Sequence, residues 1–410
     1  MPEHLDTIVI GAGQAGLAAS HFLTLAHRHH LVLERGRIAE RWHSERWDSL
    51  RFQFENATLR LPGKTYSGND PQGFAHHSEI TRFITDYAAQ IAAPVRAGVT
   101  VTRLASALPT GVHDVQTTAG AMTATNVVIA TGPFQRPRIP TLAGDIPAGI
   151  QQLDPARYRN PHDLPPGAVL VVGSGASGCQ IADELNKSGR KVFLSASIHQ
   201  RVPRRYRGQD MLWWFDKLGR LALTIDNFPG RKYPPSTVVT GVDGGYDIDL
   251  RRSAREGVQL LGRVTAVQGG ILSLADDLDE VLCGADLAHA GFLTAADQFA
   301  ASHDGPEDLG SPPLRPEVLP LPTIHSPATL DLGHSAIGSV IWATGHEFDF
   351  GWVDLPILSP LGAPLQDRGV TSCPGVYFLG LHWMHNFKSG LFSYSAEDAA
   401  YVVDHLSQRR

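Results

Sequence analysis

Residues 7–16 read TIVIGAGQAG, and residues 169–178 read VLVVGSGASG. In each stretch, an apolar run typical of a buried strand leads into a G-x-G-x-x-G loop, and a segment typical of a helix follows. Glycines at these positions permit a tight turn and let backbone amides approach a pyrophosphate at the helix N-terminus. One such loop is a weak signal. Two of them, each in register with its strand and helix, predict an α/β protein with two Rossmann-like dinucleotide-binding domains.

The residue that ends the second strand of each unit predicts which dinucleotide binds there. After the first loop, an apolar run ends at Glu34, and a carboxylate in this place accepts hydrogen bonds from ribose hydroxyls and repels a 2′-phosphate. After the second loop, the corresponding run ends at Ser195 without an acid, and arginines follow, among them Arg204 and Arg205. Guanidinium groups pair with phosphate oxygens, although a solvated basic face would show the same pattern. We therefore expect FAD at the first loop and NADPH at the second.

Composition excludes several other classes of protein. The chain has 410 residues, enough for two or three domains, and its net charge of −6 argues against nucleic acid or an anionic membrane as the main partner. We expect no transmembrane helix, because no run of about eighteen apolar residues occurs, and no signal peptide, because the first strand begins so early. Cys179, Cys283 and Cys373 form no C-x-x-C pair, which favours a reducing cytoplasm over a disulfide scaffold.

Apolar runs and proline-rich segments predict that the second unit is inserted in the first. We expect residues 1–166 and 320–410 to form the FAD-binding domain and residues 167–319 to form the NADPH-binding domain. The upper boundary rests on a proline-rich stretch that ends at residue 322, since proline does not continue a helix. Residues 339–345 are strand-like and end in Ala-Thr-Gly, as residues 127–132 do, and we assign both runs to the FAD-binding domain.

Several shorter motifs accompany the two loops. They are LERG at 33–36, RWHSERWDSLR at 41–51, ATGPF at 130–134, RVPRRYRG at 201–208, ATG at 343–345, FLG at 378–380 and EDA at 397–399. With these motifs the chain resembles the FAD- and NADPH-dependent flavin monooxygenases with two dinucleotide-binding folds, the class B enzymes of the flavin-containing and Baeyer–Villiger type. Within that class it looks more like the bacterial CzcO-like proteins. The likeness covers nearly the whole chain and is specific for the family but not for a substrate.

This resemblance implies a reaction cycle and its participants. The cofactors are FAD and NADPH, and the other reactants are dioxygen and a small organic molecule. In such enzymes NADPH reduces the flavin, which forms a C4a-(hydro)peroxide with dioxygen, and the bound NADP shields that species from water. The peroxide then oxygenates an amine nitrogen or a sulfide, or attacks a ketone in a Baeyer–Villiger oxidation. Which of these reactions occurs stays open, and so does a homodimeric state.

The resemblance also assigns residues to the cofactors. The residues expected to hold FAD are Gly11, Gly13, Gln14, Gly16, Glu34, Arg35, Trp42, Val101, Thr131, Lys388 and Leu391. The residues expected to hold NADPH are Gly173, Gly175, Ala176, Ser177, Gly178, Ser195, Arg204 and Arg205. Backbone amides from Lys388 to Leu391 would approach the flavin edge where negative charge develops on reduction, and donors there stabilise the reduced ring. Asn56 is expected beside the flavin and the nicotinamide, with a local turn residue as the alternative.

Four departures from the family pattern cluster at the expected active site. Asp154 stands where a histidine is common, and His346 follows the second Ala-Thr-Gly, where a tyrosine is usual. Residues 393–396 read SYSA in place of a glycine-rich segment, and Asn56 lacks its usual proline and aromatic neighbours. These changes suggest a specialised substrate. The catalytic candidates are Asn56, Asp154 and His385. We expect no metal, because no third ligand with suitable spacing accompanies His385 and its neighbour at position 382.

Two other functions stay open from the sequence. The first is an NADPH-dependent flavoprotein reductase that passes electrons to a quinone or a protein partner, and the second is a non-catalytic flavin-binding sensor. A disulfide reductase is disfavoured, because the chain lacks a C-x-x-C pair. The aromatic residues 211–215, which read MLWWF, predict packing within the NADPH-binding domain, with a wall over the cofactor or a dimer contact as the alternatives.

Overall fold

The computed structural model describes residues 2–107, 111–227, 236–302, 309–312 and 323–409. Its helices are α1 (Gln14–Leu25), α2 (Glu40–Ser44), α3 (His77–Gln90), α4 (Ala176–Lys187), α5 (Met211–Lys217), α6 (Leu250–Arg255), α7 (Leu278–Ala300) and α8 (Ser395–Gln408). Its strands are β1 (Glu3–Ile10), β2 (His30–Glu34), β3 (Arg60–Leu61), β4 (Lys64–Thr65), β5 (Val95–Ala97), β6 (Val101–Ala107), β7 (Val112–Thr117), β8 (Gly120–Ile129), β9 (Arg136–Pro137), β10 (Gln151–Leu153), β11 (Ala168–Val172), β12 (Val192–Ser195), β13 (Arg205–Tyr206), β14 (Gln209–Asp210), β15 (Val239–Thr240), β16 (Tyr246–Asp247), β17 (Gln259–Leu261), β18 (Val264–Gln268), β19 (Ile271–Leu274), β20 (Thr329–Asp331), β21 (Ile337–Trp342), β22 (His346–Glu347), β23 (Val353–Asp354) and β24 (Val376–Phe378).

The first sheet is built around β1, whose neighbours are β2 and β8. Its strand order is β23-β6-β7-β8-β1-β2-β5, and β24 also pairs with β8. The pairs of β1 with β2 and with β8 are parallel. Ile8 and Val9 are fully buried because helices cover the sheet, and burying one such side chain contributes about 1.5–3 kcal/mol. Helices α1 and α8 pack against each other over this core.

The second sheet is smaller and repeats the plan of the first. Its order is β10-β21-β11-β12-β17, and every pair in it is parallel. All five residues of β11 are buried, as expected of a central parallel strand. The antiparallel strands β18, β19 and β20 follow β17, just as β6, β7 and β8 follow β5. The chain therefore contains two copies of one strand–helix–strand plan with an antiparallel excursion, and the predicted fold class is confirmed.

The strand pairing divides the chain differently from the boundaries expected at residues 166 and 320. Strands β10 and β21 belong to the second sheet, although both lie in the segments that we assigned to the FAD-binding domain. The reason is that a buried apolar run pairs wherever a parallel neighbour is free, and its sequence does not identify that neighbour. The expected boundary at 319 and 320 and residues 313–322 of the proline-rich stretch lie outside the described residues.

Within the described ranges, no helix combines the length and the apolar character needed to cross a membrane.

Candidate functional site

The first glycine-rich loop lies between β1 and α1, and its glycines have different tasks. Gly11 has φ +110°, and a Cβ there would lie 2.6 Å from the carbonyl oxygen of Ala130. A Cβ on Gly16 would collide with the carbonyl oxygen of Gly11, so these two glycines let the helix approach the strands. A Cβ on Gly13 would meet nothing within 4 Å. Gly13 therefore leaves open space beside the helix N-terminus, where a pyrophosphate fits.

Glu34 closes one side of this loop. Its carboxylate is buried and accepts hydrogen bonds from the backbone N–H of Ala12 at 2.8 Å and of Gly36 at 2.9 Å. These two bonds hold the carboxylate at the carboxyl end of β2, beside the loop. The arrangement is the one that an acidic residue needs to meet the hydroxyls of a ribose.

The second glycine-rich loop has the same geometry. Gly173 has φ +106°, and a Cβ there would lie 2.5 Å from the carbonyl oxygen of Ala343. A Cβ on Gly178 would collide with the carbonyl oxygen of Gly173, whereas the nearest atom to a Cβ on Gly175 would be the Ser236 hydroxyl at 3.6 Å. The alanine carbonyl of each Ala-Thr-Gly motif therefore lies against one loop: that of the motif at 130–132 against the first loop, and that of the motif at 343–345 against the second. Ala176 and Ser177 begin α4 here, at the expected phosphate position.

The sheet register shows that the counterpart of Glu34 in the second unit is the residue after Ser195. In the first unit Ile10 pairs with Leu33, and in the second Val172 pairs with Ser195. Ser195 is therefore the counterpart of Leu33, and the place of the acid is held by Ala196. The spacing in the sequence agrees with this register, because Glu34 follows Gly11 at the same distance along the chain as Ala196 follows Gly173.

In the second unit a serine hydroxyl accepts the loop hydrogen bond that the Glu34 carboxylate accepts in the first unit. The Ser174 backbone N–H donates to Ser197 Oγ at 3.3 Å, in the place where Ala12 donates to Glu34. Ser195 itself is buried, and its hydroxyl donates to the Gly262 carbonyl oxygen at 3.0 Å. The second loop consequently has no negative charge that would repel a 2′-phosphate.

Arg204 joins the second unit to the segment around Asn56. It is 3% exposed and pairs with Asp210 at 2.7 Å, and it donates to the Gln53 carbonyl oxygen at 2.5 Å. Its guanidinium also lies 4.3 Å from the centre of the Phe74 ring. Burial lowers the pKa of Arg204 while Asp210 opposes that shift. These contacts make Arg204 part of the junction between the second unit and the segment that carries Asn56.

The other arginines of this cluster are also paired with carboxylates. Arg205 pairs with Glu55 at 2.9 Å and donates to the Gln72 carbonyl oxygen at 2.9 Å. Burial raises the pKa of Glu55, and nearby Asp210 adds to that shift against the effect of Arg205. Arg205 thus faces the first unit from the same side as Arg204, and contacts of either arginine with a 2′-phosphate stay a prediction.

Asn56 opens a single helical turn, Asn56–Thr58, in this junction. It is 5% exposed, and its Nδ2 donates to the Asp70 carbonyl oxygen at 2.9 Å. Its Oδ1 is buried and has no hydrogen-bond partner. Leaving such an acceptor unsatisfied costs about 1–3 kcal/mol, so the site favours a bound group that brings a donor.

The other residues predicted for FAD surround the first loop or α2. Thr131 directly follows the carbonyl that touches Gly11, and its hydroxyl accepts from Gln135 Nε2 at 2.9 Å. Arg35 lies 3.6 Å from Glu45, and the Trp42 ring lies 4.8 Å from the Arg46 guanidinium. Gln14 begins α1 and is half-buried, and Val101 is buried at the start of β6.

The segment from His385 to Leu391 is held by two neighbouring acids of α8. Lys388 Nζ pairs with Glu397 at 2.8 Å. A hydrogen bond to Ser389 opposes the increase that burial causes in the pKa of Asp398. The Lys388 amide donates to Asn386 Oδ1 at 3.0 Å, and the Leu391 amide donates to the Lys388 carbonyl oxygen at 2.9 Å. Both predicted amides are therefore bonded inside the segment, and His385 is exposed beside it.

The segments that follow the two Ala-Thr-Gly motifs pair with each other. Strands β9 and β22 form an antiparallel ribbon. Beside it, the Phe134 ring centre lies 5.1 Å from the ring of His346 and 5.2 Å from that of His382. Burial lowers the pKa of His382 to about 4 and also lowers that of His346. Both imidazoles are therefore neutral near pH 7, next to an aromatic ring that is 42% exposed.

Asp154 belongs to the same region as His346. Its Oδ1 accepts from the Ala156 amide at 2.8 Å, and its charge raises the pKa of His346 against the effect of burial. Across the described part of the chain, no hydrogen bond or ion pair joins the three catalytic candidates, Asn56, Asp154 and His385, to one another. Also within that part, no group of three metal-binding side chains occurs.

Sequence reasoning did not single out Ala196, Ser197, Glu55 or Asp398. Ser197 is the first serine after β12, but its hydrogen bond to the second loop appears only in the structure. Asp398 was quoted only as part of a motif. The partner of Glu55, Arg205, lies 150 residues away along the chain, and sequence patterns do not reveal such a pair. Ser389 is near Asp398 in the chain, but it lies before α8 begins, and no motif links the two residues.

Comparison with known proteins gives relatives over the full length of the chain. The family described as "Pyridine nucleotide-disulphide oxidoreductase" matches residues 8–208. An uncharacterized CzcO-like oxidoreductase of Geobacillus kaustophilus is 30% identical over 410 residues, which are 99% of this chain and 99% of the relative. An indole-3-pyruvate monooxygenase of rice, YUCCA8, is 29% identical over 213 residues, which are 49% of this chain and 50% of that protein.

Solved structures share the fold at low sequence identity. A flavin-containing monooxygenase from Stenotrophomonas maltophilia has a TM-score of 0.68 and 18% identity, over 99% of this chain and 98% of that chain. The bacillithiol disulfide reductase Bdr from Bacillus cereus has a TM-score of 0.62 and 16% identity over 100% of both chains. OTEMO, in complex with FAD and NADP, has a TM-score of 0.57 and 16% identity over 98% of this chain and 85% of that chain.

Proposed function

We propose that this chain, which belongs to the CzcO-like oxidoreductases, is an FAD-dependent monooxygenase with NADPH as its electron donor. Family membership confirms the resemblance predicted from the motifs. Similar proteins include a flavin-containing monooxygenase and an indole-3-pyruvate monooxygenase, and a third similar structure, OTEMO, is a complex with FAD and NADP. These similarities support the reaction class and the two cofactors, and they leave the substrate open.

One observation carries the proposal: two loops with the same backbone are flanked by different residues. Glu34 places a carboxylate beside the first loop, whereas Ala196 takes the corresponding position beside the second. The first arrangement suits FAD and the second suits the 2′-phosphate of NADPH. Open space at Gly13 and Gly175 fits a pyrophosphate in both places.

When bound, the two cofactors supply the redox chemistry with dioxygen, and the protein positions them and excludes water. Glu34 would accept hydrogen bonds from the adenosine ribose of FAD. Asn56 would use its unpartnered Oδ1 to accept a hydrogen bond from a bound group. Phe134, between the neutral imidazoles of His346 and His382, would form an apolar wall that keeps water from the reacting atoms.

We propose that the two cofactor domains follow the predicted plan, with strands β10 and β21 added to the NADPH-binding domain. A small organic substrate and dioxygen are the other reactants. We place the enzyme in the cytoplasm, since Cys179, Cys283 and Cys373 are free thiols. Light scattering on the purified protein distinguishes a monomer from the homodimer that the sequence left open.

The test uses the purified holoenzyme with NADPH and isotopically labelled dioxygen, ¹⁸O₂. Sulfides, amines and ketones are offered separately. The proposal predicts a product that carries one labelled oxygen atom for each NADPH oxidised. The competing reductase predicts NADPH-dependent reduction of a quinone with no labelled product, and that result would contradict the proposal. The sensor alternative predicts that NADPH leaves the absorbance of the bound flavin unchanged.

A further inference from the structure

The turn that begins at Asn56 is bound to a neighbouring segment, residues 70–73. The Asn56 amide donates to the Gly73 carbonyl oxygen at 2.8 Å, and Asn56 Nδ2 donates to the Asp70 carbonyl oxygen at 2.9 Å. The Asn56 carbonyl oxygen accepts from the Leu59 amide at 2.9 Å, inside the turn. Of the polar atoms of Asn56, Oδ1 is the one without a hydrogen-bond partner in the described part of the chain. The orientation of this side chain is therefore fixed by residues 70–73.

Arg205, in the second unit, bridges the two segments that meet at Asn56. Its Nη2 donates to Glu55 Oε1 and to the Gln72 carbonyl oxygen, each at 2.9 Å. Glu55 directly precedes Asn56, and Gln72 lies in the segment that binds Asn56. A guanidinium NH2 group has two hydrogens, and these two acceptors use both of them. One side chain of the second unit thus holds both sides of the Asn56 contact.

The preceding residue, Arg204, contacts the same two segments a few residues away. It donates to the Gln53 carbonyl oxygen, and its guanidinium lies 4.3 Å from the centre of the Phe74 ring. The two arginines differ in burial, because Arg204 is 3% exposed and pairs with Asp210, whereas the Arg205 side chain is 41% exposed. An exposed ion pair contributes little to stability. Arg205 can therefore be replaced without unfolding the protein, so its effect on Asn56 is measurable.

We propose that Arg205 is a positioning residue, which holds the Asn56 turn from the second unit and so keeps Asn56 Oδ1 available to a bound group. The inference rests on the proposed function and deepens it, since Asn56 is a catalytic candidate. A guanidinium suits this position because its donors are held in a rigid, planar fork. This role differs from the 2′-phosphate contact that the sequence predicted for Arg205, because Nη2 donates to the first unit instead.

The first experiment follows anaerobic reduction of the bound flavin after rapid mixing of the holoenzyme with NADPH or with NADH. Because Asn56 is expected beside the flavin and the nicotinamide, Arg205→Ala should lower the limiting rate about two- to tenfold, the worth of one hydrogen bond. The loss should be the same with both coenzymes, and the apparent Kd of each should stay unchanged. A 2′-phosphate contact predicts instead that NADPH alone binds about ten- to a hundredfold more weakly, and that result would overturn the inference.

Further variants show whether Arg205 acts through Asn56. Adding Arg205→Ala to an Asn56→Ala protein should lower the rate no further, since residues that act through one another are not additive. Arg205→Lys keeps a cation beside Glu55 and should retain part of the rate. The matched control is Arg207→Ala, which breaks an ion pair of the same length, 2.9 Å, with Asp297 of α7 and should keep the natural rate. Thermal unfolding of each variant checks that the fold is intact.

The second experiment is hydrogen exchange measured by mass spectrometry, which needs neither coenzyme nor dioxygen. Arg205→Ala should speed exchange of the backbone amides of residues 55–59, and Arg207→Ala should not. Unchanged exchange in Arg205→Ala, or additive losses of rate in the double variant, would overturn the inference.

The outcome is separate from that of the labelled-oxygen experiment. An enzyme that incorporates labelled oxygen, but whose Arg205→Ala variant is reduced at the natural rate, retains the proposed function and loses this inference. Faster exchange and slower flavin reduction in Arg205→Ala, without a labelled product from the natural protein, would retain the positioning role and remove the monooxygenase.

Discussion

The two glycine-rich loops have the same backbone and differ in the side chain beside it. Gly11 and Gly173 both have φ above +100°, and each lies against the carbonyl of an Ala-Thr-Gly motif. Beside the first loop a buried carboxylate, Glu34, accepts two backbone hydrogen bonds. Beside the second a hydroxyl, Ser197, accepts one. One backbone plan has thus been used twice, and we propose that the residue at the strand end determines which nucleotide each loop binds.

The largest expected effect concerns how the second unit is joined to the first. Arg204→Ala leaves Asp210 buried without its cation, and breaking such a pair costs about 3–5 kcal/mol of unfolding free energy. Arg205→Ala removes a pair whose arginine is 41% exposed and should cost at most about 1 kcal/mol. Urea denaturation measures both values. Equal losses in the two variants would show that the Arg204 junction is not the stronger one.

Moving the acid to the second loop should change the cofactor preference. Ala196→Glu puts a carboxylate in the place of Glu34, so repulsion of the 2′-phosphate should lower the ratio of kcat/KM for NADPH to that for NADH by about ten- to a hundredfold. Steady-state kinetics with both coenzymes measures the ratio. The comparator is Ser195→Glu, which buries the acid one position earlier and should reduce stability instead. If only Ser195→Glu changed the ratio, the register assignment would be wrong.

Adding one methyl group to each loop in turn should show which cofactor each loop binds. Gly13→Ala and Gly175→Ala place a Cβ that meets no protein atom closer than 3.6 Å, so the apoprotein should fold normally. The methyl would occupy phosphate space, and overpacking of this kind costs about 1–3 kcal/mol. We expect Gly13→Ala to weaken FAD binding and Gly175→Ala to weaken only NADPH binding. Fluorescence titration with FAD and steady-state kinetics with NADPH measure the two effects, and a reversed pattern would exchange the assignments.

The last expected effect is a pH dependence of stability, and it arises where the segments after the two Ala-Thr-Gly motifs meet. The pKa of His382 falls from its ordinary value of 6.5 to about 4 in the folded protein. The unfolded chain therefore binds more protons between these pH values, so the stability that His382 contributes is complete above pH 6.5 and is lost as the pH falls toward 4. We expect a loss of about 1–3 kcal/mol, which urea denaturation across this range detects. In His382→Asn the same pH range should show a flatter profile, and an unchanged profile would contradict the assignment.

Much of the fold was predictable from local patterns, and the pairings were not. The strand–loop–helix units depend on residues close together in the chain, so TIVIGAGQAG and VLVVGSGASG predicted them. Glu34 lies beside the first loop, and its contact with a ribose stays a prediction. The assignment of β21 to the second sheet depends on which parallel neighbour is free. The partners of Arg205, Glu55 and Gln72, lie far away in sequence, and so does Gln53, whose carbonyl oxygen accepts a hydrogen bond from Arg204. These long-range relations appear only in three dimensions.

The measurement that tests the account most directly is an anaerobic titration of the purified protein with NADPH and, separately, with NADH. The account predicts a protein that carries one FAD per chain, whose flavin absorbance is bleached at least about tenfold more efficiently by NADPH than by NADH, as expected where no acid repels the 2′-phosphate. A protein without bound flavin, or one reduced equally well by both coenzymes, would contradict the assignment of two different nucleotides to the two loops.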